Sequence, residues 1–287
     1  MAQVLTFSQL LDTSYKTMKP LLKTYILGAL LLLVIAMVLR GIGSALFAVL
    51  EIPGIENNIL LLITVFCVGI VFLIAGAIVQ IVQSVYALIV AVEGPKTVKE
   101  GIRKTWKSLW KLILGGLWMM VRSYMWIMIL GIPFIVVGIE YSYVFLMVIG
   151  WSLFAAGAIC AFYFMPLLAF TNIIQLQDGK GPRASAALSI ERTHGYWGKI
   201  FGNNLLMAIC MMLMSAAAVA VLALIGFTVI TVVRVVPVIL GIIMGVPLAL
   251  VLIIAITIYF FALTLFTRVY MVVLYETIKA NPRLKKV

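Results

Sequence analysis

The residue types with the clearest binding chemistry lie together in one stretch, from Thr97 to Lys111. Its cations recur every four residues, a spacing that aligns them along one side of a helix, and its tryptophans are expected on the other side with apolar residues. Thr97 and Glu100 have the spacing of a capping box, as do Thr6 and Gln9 near the start of the chain, and each pair predicts that a helix begins there. The stretch is therefore interpreted as an interfacial membrane helix, or alternatively as a solvated connector whose lysines only mark the cytoplasmic side.

The cations of this stretch would lie close to the negatively charged cytoplasmic leaflet of a membrane. Each Lys or Arg near such a surface gains about 1 kcal/mol, so anionic phospholipid is the expected ligand and a docked protein partner is the second interpretation. Lys199 begins a later apolar run in the same way as Lys111 and is included with this group. The predicted lipid- or partner-binding residues are Lys99, Arg103, Trp106, Lys107, Trp110, Lys111 and Lys199.

Polar side chains inside the apolar runs are the second group of candidates, namely Gln83, Arg122, Asn172 and Arg268. Ionisable groups at membrane depth are costly and often functional, so Arg122 is expected to face the interior of the bundle or a cavity. Snorkelling toward the headgroups is the alternative for Arg122. Gln80, Asn172 and Arg268 lie at a similar level, which predicts either a polar ring facing the cytoplasm or hydrogen bonds between helices.

The sequence carries no pattern typical of an enzyme. Phosphate-binding loops, nucleophile elbows and zinc-protease motifs are absent from it. The single histidine, His194, is interpreted as an interfacial polar residue, and Cys67, Cys160 and Cys210 as small apolar residues within apolar runs. We therefore predict a protein without catalytic residues, metal or cofactor.

The composition identifies a polytopic membrane protein. The 287 residues are 65% hydrophobic and only 10% charged, with a mean hydropathy of +1.24. The net charge of +12 does not indicate nucleic acid, because 17 of the 21 cations fall in four short segments between apolar runs. The positive-inside rule places such segments in the cytoplasm together with both termini.

Six spans follow from the apolar runs. The second, fourth and sixth runs are much longer than the roughly 20 residues needed to cross a bilayer, so they either tilt strongly or, as we favour, extend out of the membrane with their polar final thirds. The third run is predicted as one continuous span carrying Arg122. The predicted spans are 25–50, 58–92, 112–139, 143–176, 200 to an outer turn near 230–238, and from there to 277.

The spans are predicted to form three repeats of one unit. Lys23, Lys111 and Lys199 are each 88 residues from the next and each precedes an apolar run. Each unit would comprise a basic amphipathic helix, a span, a short loop and a long span. The predicted fold is an all-α membrane bundle of six transmembrane helices in three parallel hairpin repeats, forming one domain with units at about 6–94, 95–181 and 182–282.

Two segments resemble a broad group of bacterial six-span inner-membrane proteins. They are the opening FSQLLDTSYKTMKPLLKTYILGALLLL, and Ala187 to Trp197 followed by Gly198-Lys-Ile-Phe. The group includes the membrane domain that precedes some glycerophosphodiester phosphodiesterases. The resemblance implies a multi-pass protein of the bacterial inner membrane, and it carries over no activity because the chain contains no phosphodiesterase domain.

The sequence thus leaves two functions open. The first is a non-enzymatic membrane protein whose basic cytoplasmic helices bind anionic lipid or a protein partner. The second is a transporter or channel-like permease with a polar cavity open to the cytoplasm. The two differ in whether Gln83, Arg122, Asn172 and Arg268 line one cavity.

Overall fold

The computed structural model describes residues 5–50, 59–235 and 238–281, and within these ranges it contains helices and no strand. A 3₁₀ turn, Lys19–Leu21, joins the first two helices. The α-helices in chain order are α1 Phe7–Met18, α2 Leu22–Val49, α3 Ile59–Glu93, α4 Val98–Arg122, α5 Met125–Glu140, α6 Val144–Leu168, α7 Thr171–Gln177, α8 Pro182–Thr193, α9 Trp197–Val235 and α10 Val238–Lys279.

The predicted helix starts agree with the caps. The Thr6 hydroxyl accepts a hydrogen bond from the Gln9 backbone N–H, and the Gln9 side chain accepts one from the Thr6 N–H, which completes a capping box before α1. Thr97 likewise accepts from the Glu100 N–H at 3.2 Å before α4. Each bond satisfies a backbone donor that the first helical turn leaves without a partner.

Five helical segments are long and apolar enough to cross a membrane, and there are six if α4 and α5 together count as one. Their outer surfaces carry large exposed apolar side chains, as expected for contact with lipid. Along the chain, α2 packs against α3 and α5 against α6. Gly131 and Gly150 permit the second contact, since a Cβ at Gly131 would lie 2.6 Å from the Gly150 carbonyl oxygen.

The prediction of a continuous third span is wrong. Helix α4 ends at Arg122, and α5 begins at Met125 after a bend of 72°. Tyr124 lies between them with φ 59° and ψ 18°, in the left-handed region, where a helix cannot continue. The pair is therefore either a broken span or a re-entrant segment, and the amphipathic stretch and the start of the predicted span form one uninterrupted helix.

The packed core lies at one end of the helices. Buried residues concentrate at 82–91 in α3, 170–175 around α7 and 261–278 in α10, where they meet Leu10 of α1. The basic segments adjoin this same end. The chain therefore brings the first helix and the end of the last helix into one apolar cluster.

Some predictions fall on residues that the structure does not describe. The first outer turn, predicted at 51–56, and the basic tail, 282–287, lie outside the described residues, as do 236–237 of the third outer turn. The second turn is described, and it connects α5 to α6 through Ser142, whose φ is 55°.

Candidate functional site: a cationic helix face and an intramembrane cavity

The exposed side of α4 brings the predicted cations and tryptophans together. Trp106 is 55% exposed and Trp110 73%, and the cations on this face are also exposed. The opposite side packs into the bundle through the small or apolar residues Gly101, Thr105, Leu109, Leu112 and Gly115. Separate tryptophan and lysine sides were expected, and that expectation is wrong. The reason is helical geometry: Trp106 follows Lys99 by seven residues and Trp110 follows Arg103 by seven, and seven residues make about two turns, which returns to the same side of the helix.

The row of cations has no acidic partner among the described residues. Lys99, Arg103 and Lys107 make no ion pair there, whereas the neighbouring Lys104 contacts two carboxylates, Glu93 at 3.0 Å and Glu100 at 3.1 Å. Both nearby acids are thus occupied by one lysine on the side of the helix. The exposed face consequently presents positive charge beside two indole rings. We call this set, Lys99, Arg103, Trp106, Lys107 and Trp110, the cationic face.

The other two predicted binding residues lie apart from the cationic face. Lys111 is half-buried, and its Nζ donates a hydrogen bond to the Gln175 backbone oxygen at 2.9 Å, which ties α4 to α7. Lys199 is exposed in the first turn of α9. A structural role therefore accounts for Lys111. Lys199 belongs to α9 and is not part of the cationic face.

A cavity of about 560 Å³ lies between α4, α6, α7, α9 and α10, with contributions from Leu88 of α3 and Met125 of α5. Its volume is in the range of small-molecule sites, roughly 300–1,000 Å³. Its polar lining consists of Ser123, Asn172, Asn204 and Arg268, and apolar side chains form the rest. Two of the four intramembrane candidates, Asn172 and Arg268, therefore line one cavity.

A pair of buried amides adjoins the cavity. Gln175 is fully buried, and neither its side-chain oxygen nor its nitrogen has a hydrogen-bond partner; the Asn172 Oδ1 also has none. Both amides lie against α4 at Gly115, where an added Cβ would come 2.7 Å from the Asn172 Oδ1. Buried amides without partners are costly, so this region has unused hydrogen-bonding capacity next to the cavity.

The remaining intramembrane candidates do not line the cavity. Arg122 is exposed at the end of α4, because the helix stops there and the chain turns. The expectation that Arg122 faces inward is therefore wrong. Gln83 is half-buried within α3. Gln80 accepts a hydrogen bond from the Arg40 Nη2 at 2.5 Å. Gln80 therefore makes an inter-helix hydrogen bond, which was the alternative to the predicted polar ring.

Sequence reasoning did not identify Ser123 and Asn204 as cavity residues. Asn204 follows Asn203 in the apolar start of α9, and this pair of adjacent amides was an available signal. Ser123 is recognisable only from the bend beside it. Among the described residues no group of His, Cys, Asp or Glu is arranged to hold a metal ion.

Comparison of the chain with protein-family models, curated proteins and solved structures finds no match.

Proposed function

We propose that this chain is a non-enzymatic multi-pass membrane protein that binds anionic phospholipid through its cationic face. The observation that carries the proposal is the position of three cations and two tryptophans on one exposed side of α4, with no acidic partner among the described residues. Tryptophan beside lysine is typical of side chains at the headgroup level.

The energetics of the cationic face favour an anionic neighbour. Lys99, Arg103 and Lys107 follow one another at i,i+4, a spacing at which like charges destabilise a helix by about 0.2–0.5 kcal/mol per pair. Near anionic lipid each cation instead gains about 1 kcal/mol, reduced when salt screens it over a Debye length of about 8 Å. Lipid phosphates would therefore reverse the sign of the electrostatic contribution on this face.

The wider setting is part of the same proposal. We place the protein in the bacterial inner membrane with both termini in the cytoplasm, which the clustered cations and the shared core of α1 and α10 support. The resemblance to the six-span group supports this location. Three hairpin units are proposed from the 88-residue spacing and from the paired helices α2–α3 and α5–α6. The second unit departs from this arrangement. Its amphipathic helix and its first span were expected to separate near Lys111, but α4 continues past Lys111 and breaks only after Arg122.

The test is charge reversal on the cationic face. In the triple variant Lys99→Glu, Arg103→Glu, Lys107→Glu, we expect less anionic phospholipid to remain bound in native mass spectrometry, with helical content unchanged. The matched control reverses three other exposed cations, Lys19, Lys180 and Arg183, and changes the net charge equally. Lipid retention equal to wild type in the first variant would contradict lipid binding and favour a docked protein partner.

A second candidate function is transport through the cavity. The observation that favours it is the joint presence of Asn172 and Arg268 in a lining formed by several helices. The exposed position of Arg122 and the absence of Gln83 from that lining weaken it. Transport is therefore kept as the alternative to lipid binding.

A further inference from the structure

The cavity combines one charged group with walls suited to a flexible apolar chain. Arg268 lines it, its side chain is exposed, and it makes no hydrogen bond or ion pair with the described residues. Five methionines contribute to the walls, Met119, Met120, Met125, Met165 and Met271. Methionine is flexible and polarisable, so a methionine-rich wall adapts to ligands of variable shape.

We propose that this cavity binds an amphiphile with a compact anionic headgroup, a carboxylate or a phosphate, and at least one acyl chain. The exposed Arg268 side chain lines a cavity whose walls are mostly apolar, and a cation in such surroundings is stabilised when an anion pairs with it. Because the described residues provide no anion, a bound ligand is the group that would supply it. A guanidinium suits carboxylate and phosphate alike, since its N–H groups match two oxygens of either.

The neighbouring polar groups extend the headgroup site. Asn172 and Asn204 line the same cavity as Arg268, and each amide can donate a hydrogen bond to an oxygen. The Ser123 hydroxyl also lines the cavity, but it already donates to the Met120 carbonyl at 3.2 Å. The two amides would therefore bind the headgroup oxygens that Arg268 leaves without a donor.

The acyl chain has a path toward the lipid between α6 and α9. Phe162, Met165 and Leu205 line the cavity and are also 57%, 54% and 49% exposed, so the cavity wall reaches the outer apolar surface there. Phe162 contacts Phe201 across the two helices, with ring centroids 4.7 Å apart. A chain leaving between these helices would remain in apolar surroundings.

The first experiment tests the headgroup. Purified full-length protein in detergent is titrated with oleate, with oleoyl lysophosphatidic acid and with zwitterionic oleoyl lysophosphatidylcholine, and bound ligand is counted by native mass spectrometry. We expect Arg268→Gln to weaken binding of the anionic probes at least about tenfold, the loss of one charge-assisted hydrogen bond. Arg122→Gln, which removes an exposed arginine outside the cavity, should bind as wild type does.

The two anionic probes separate the sources of the headgroup. Stronger binding of oleate assigns the site to a fatty-acid carboxylate, and stronger binding of lysophosphatidic acid assigns it to a lipid phosphate. Equal binding of all three probes, or unchanged binding by Arg268→Gln, would overturn the proposal.

The second experiment fills the cavity and remains informative if Arg268→Gln fails to fold. Gly116 lines the cavity, and a Cβ added there meets no atom within 4 Å, so Gly116→Leu should occupy the ligand volume without a clash in the bundle. The matched control is Gly41→Leu in α2, whose Cβ also meets nothing within 4 Å but lies outside the cavity lining. We expect at least about tenfold weaker binding for Gly116→Leu alone, and unchanged binding in a folded Gly116→Leu protein would contradict the proposal.

This inference does not depend on the proposed function of the cationic face. The triple variant Lys99→Glu, Arg103→Glu, Lys107→Glu should still bind oleate or lysophosphatidic acid as wild type does. Loss of cavity binding in that variant would show that the two sites are not separate and would contradict the assignment to Arg268.

Discussion

At the scale of single residues, Tyr86 of α3 connects three helices. Its ring stacks on Tyr25 of α2 with centroids 5.9 Å apart, and its hydroxyl donates to the Thr24 carbonyl at 2.8 Å. Gly28 of α2 and Gly101 of α4 leave the space that the ring occupies, because a Cβ at either position would overlap it. The side of α4 that is buried therefore depends on a tyrosine from a different helix.

This arrangement predicts that Gly101→Ala destabilises the bundle. The new Cβ would lie 2.7 Å from the Tyr86 Cε2, and the hydrogen-bonded, stacked ring has little freedom to move. Overpacking of this kind costs about 1–3 kcal/mol, partly offset by the better helix propensity of alanine, about 1 kcal/mol. We expect a lower midpoint in thermal unfolding followed by fluorescence-detected size-exclusion chromatography.

Gly41→Ala is the control for this substitution, since its Cβ has no neighbour within 4 Å. It should unfold at the wild-type temperature or slightly above. An unchanged midpoint for Gly101→Ala would mean that Tyr86 does not determine the packing of α4.

At the scale of elements, the break between α4 and α5 changes what the chain does at the membrane. The bend follows Ser123 and Tyr124, and it directs α5 away from the axis of α4 by 72°. It also places Ser123 and Met125 in the lining of the cavity. A straight span would direct Met125 along the axis of α4 instead. The cavity and the break are therefore two consequences of one local conformation.

The bend predicts a short distance between spin labels at Leu114 and Ile139, positions that are 52% and 62% exposed. One straight helix would separate the two backbone positions by about 38 Å, and the 72° bend reduces this to about 30 Å. Double electron–electron resonance on the Leu114→Cys, Ile139→Cys protein without its native cysteines measures the distance. Tyr124→Gly should leave it unchanged, because glycine accepts the left-handed conformation readily. A distribution centred near the longer distance would contradict the break.

At the scale of the whole molecule, the helices are packed at one end and apolar on their outer surfaces over the rest of their length. The end with the core contains α1, α7, α8, the start of α9 and the last turns of α10. It also adjoins the basic segments, whereas the turn at Ser142 connects the opposite ends of α5 and α6. Ser142 should therefore be separated by the bilayer from the basic loops.

Cysteine labelling in intact cells tests this topology. In a background without native cysteines, an impermeant maleimide should label Ser142→Cys from outside, because Ser142 is exposed in the turn. Lys180→Cys is also exposed but should react only after the membrane is permeabilised. Labelling of Lys180→Cys in intact cells would reverse the orientation. Protection of Ser142→Cys would instead indicate that α4 and α5 form a re-entrant pair.

The sequence by itself determined the class and the local boundaries of this protein. Apolar runs longer than a bilayer predict membrane helices, since any exposed backbone in lipid must be hydrogen-bonded within the helix. Thr6 and Thr97 predicted the starts of α1 and α4 correctly, because a cap depends on side chains only a few residues away. Asn172 and Arg268 were identifiable as candidates because polar groups in apolar runs are rare.

Only the tertiary structure decided which of these features meet. The buried face of α4 contacts Tyr86 from another helix at Gly101, and no spacing within α4 identifies that neighbour. The break at Tyr124 has no signal in residue type, since tyrosine seldom adopts a positive φ. The cavity unites residues from several helices that are far apart in the chain. Local preferences act over a few residues, whereas contacts between helices depend on how all of their surfaces pack at once.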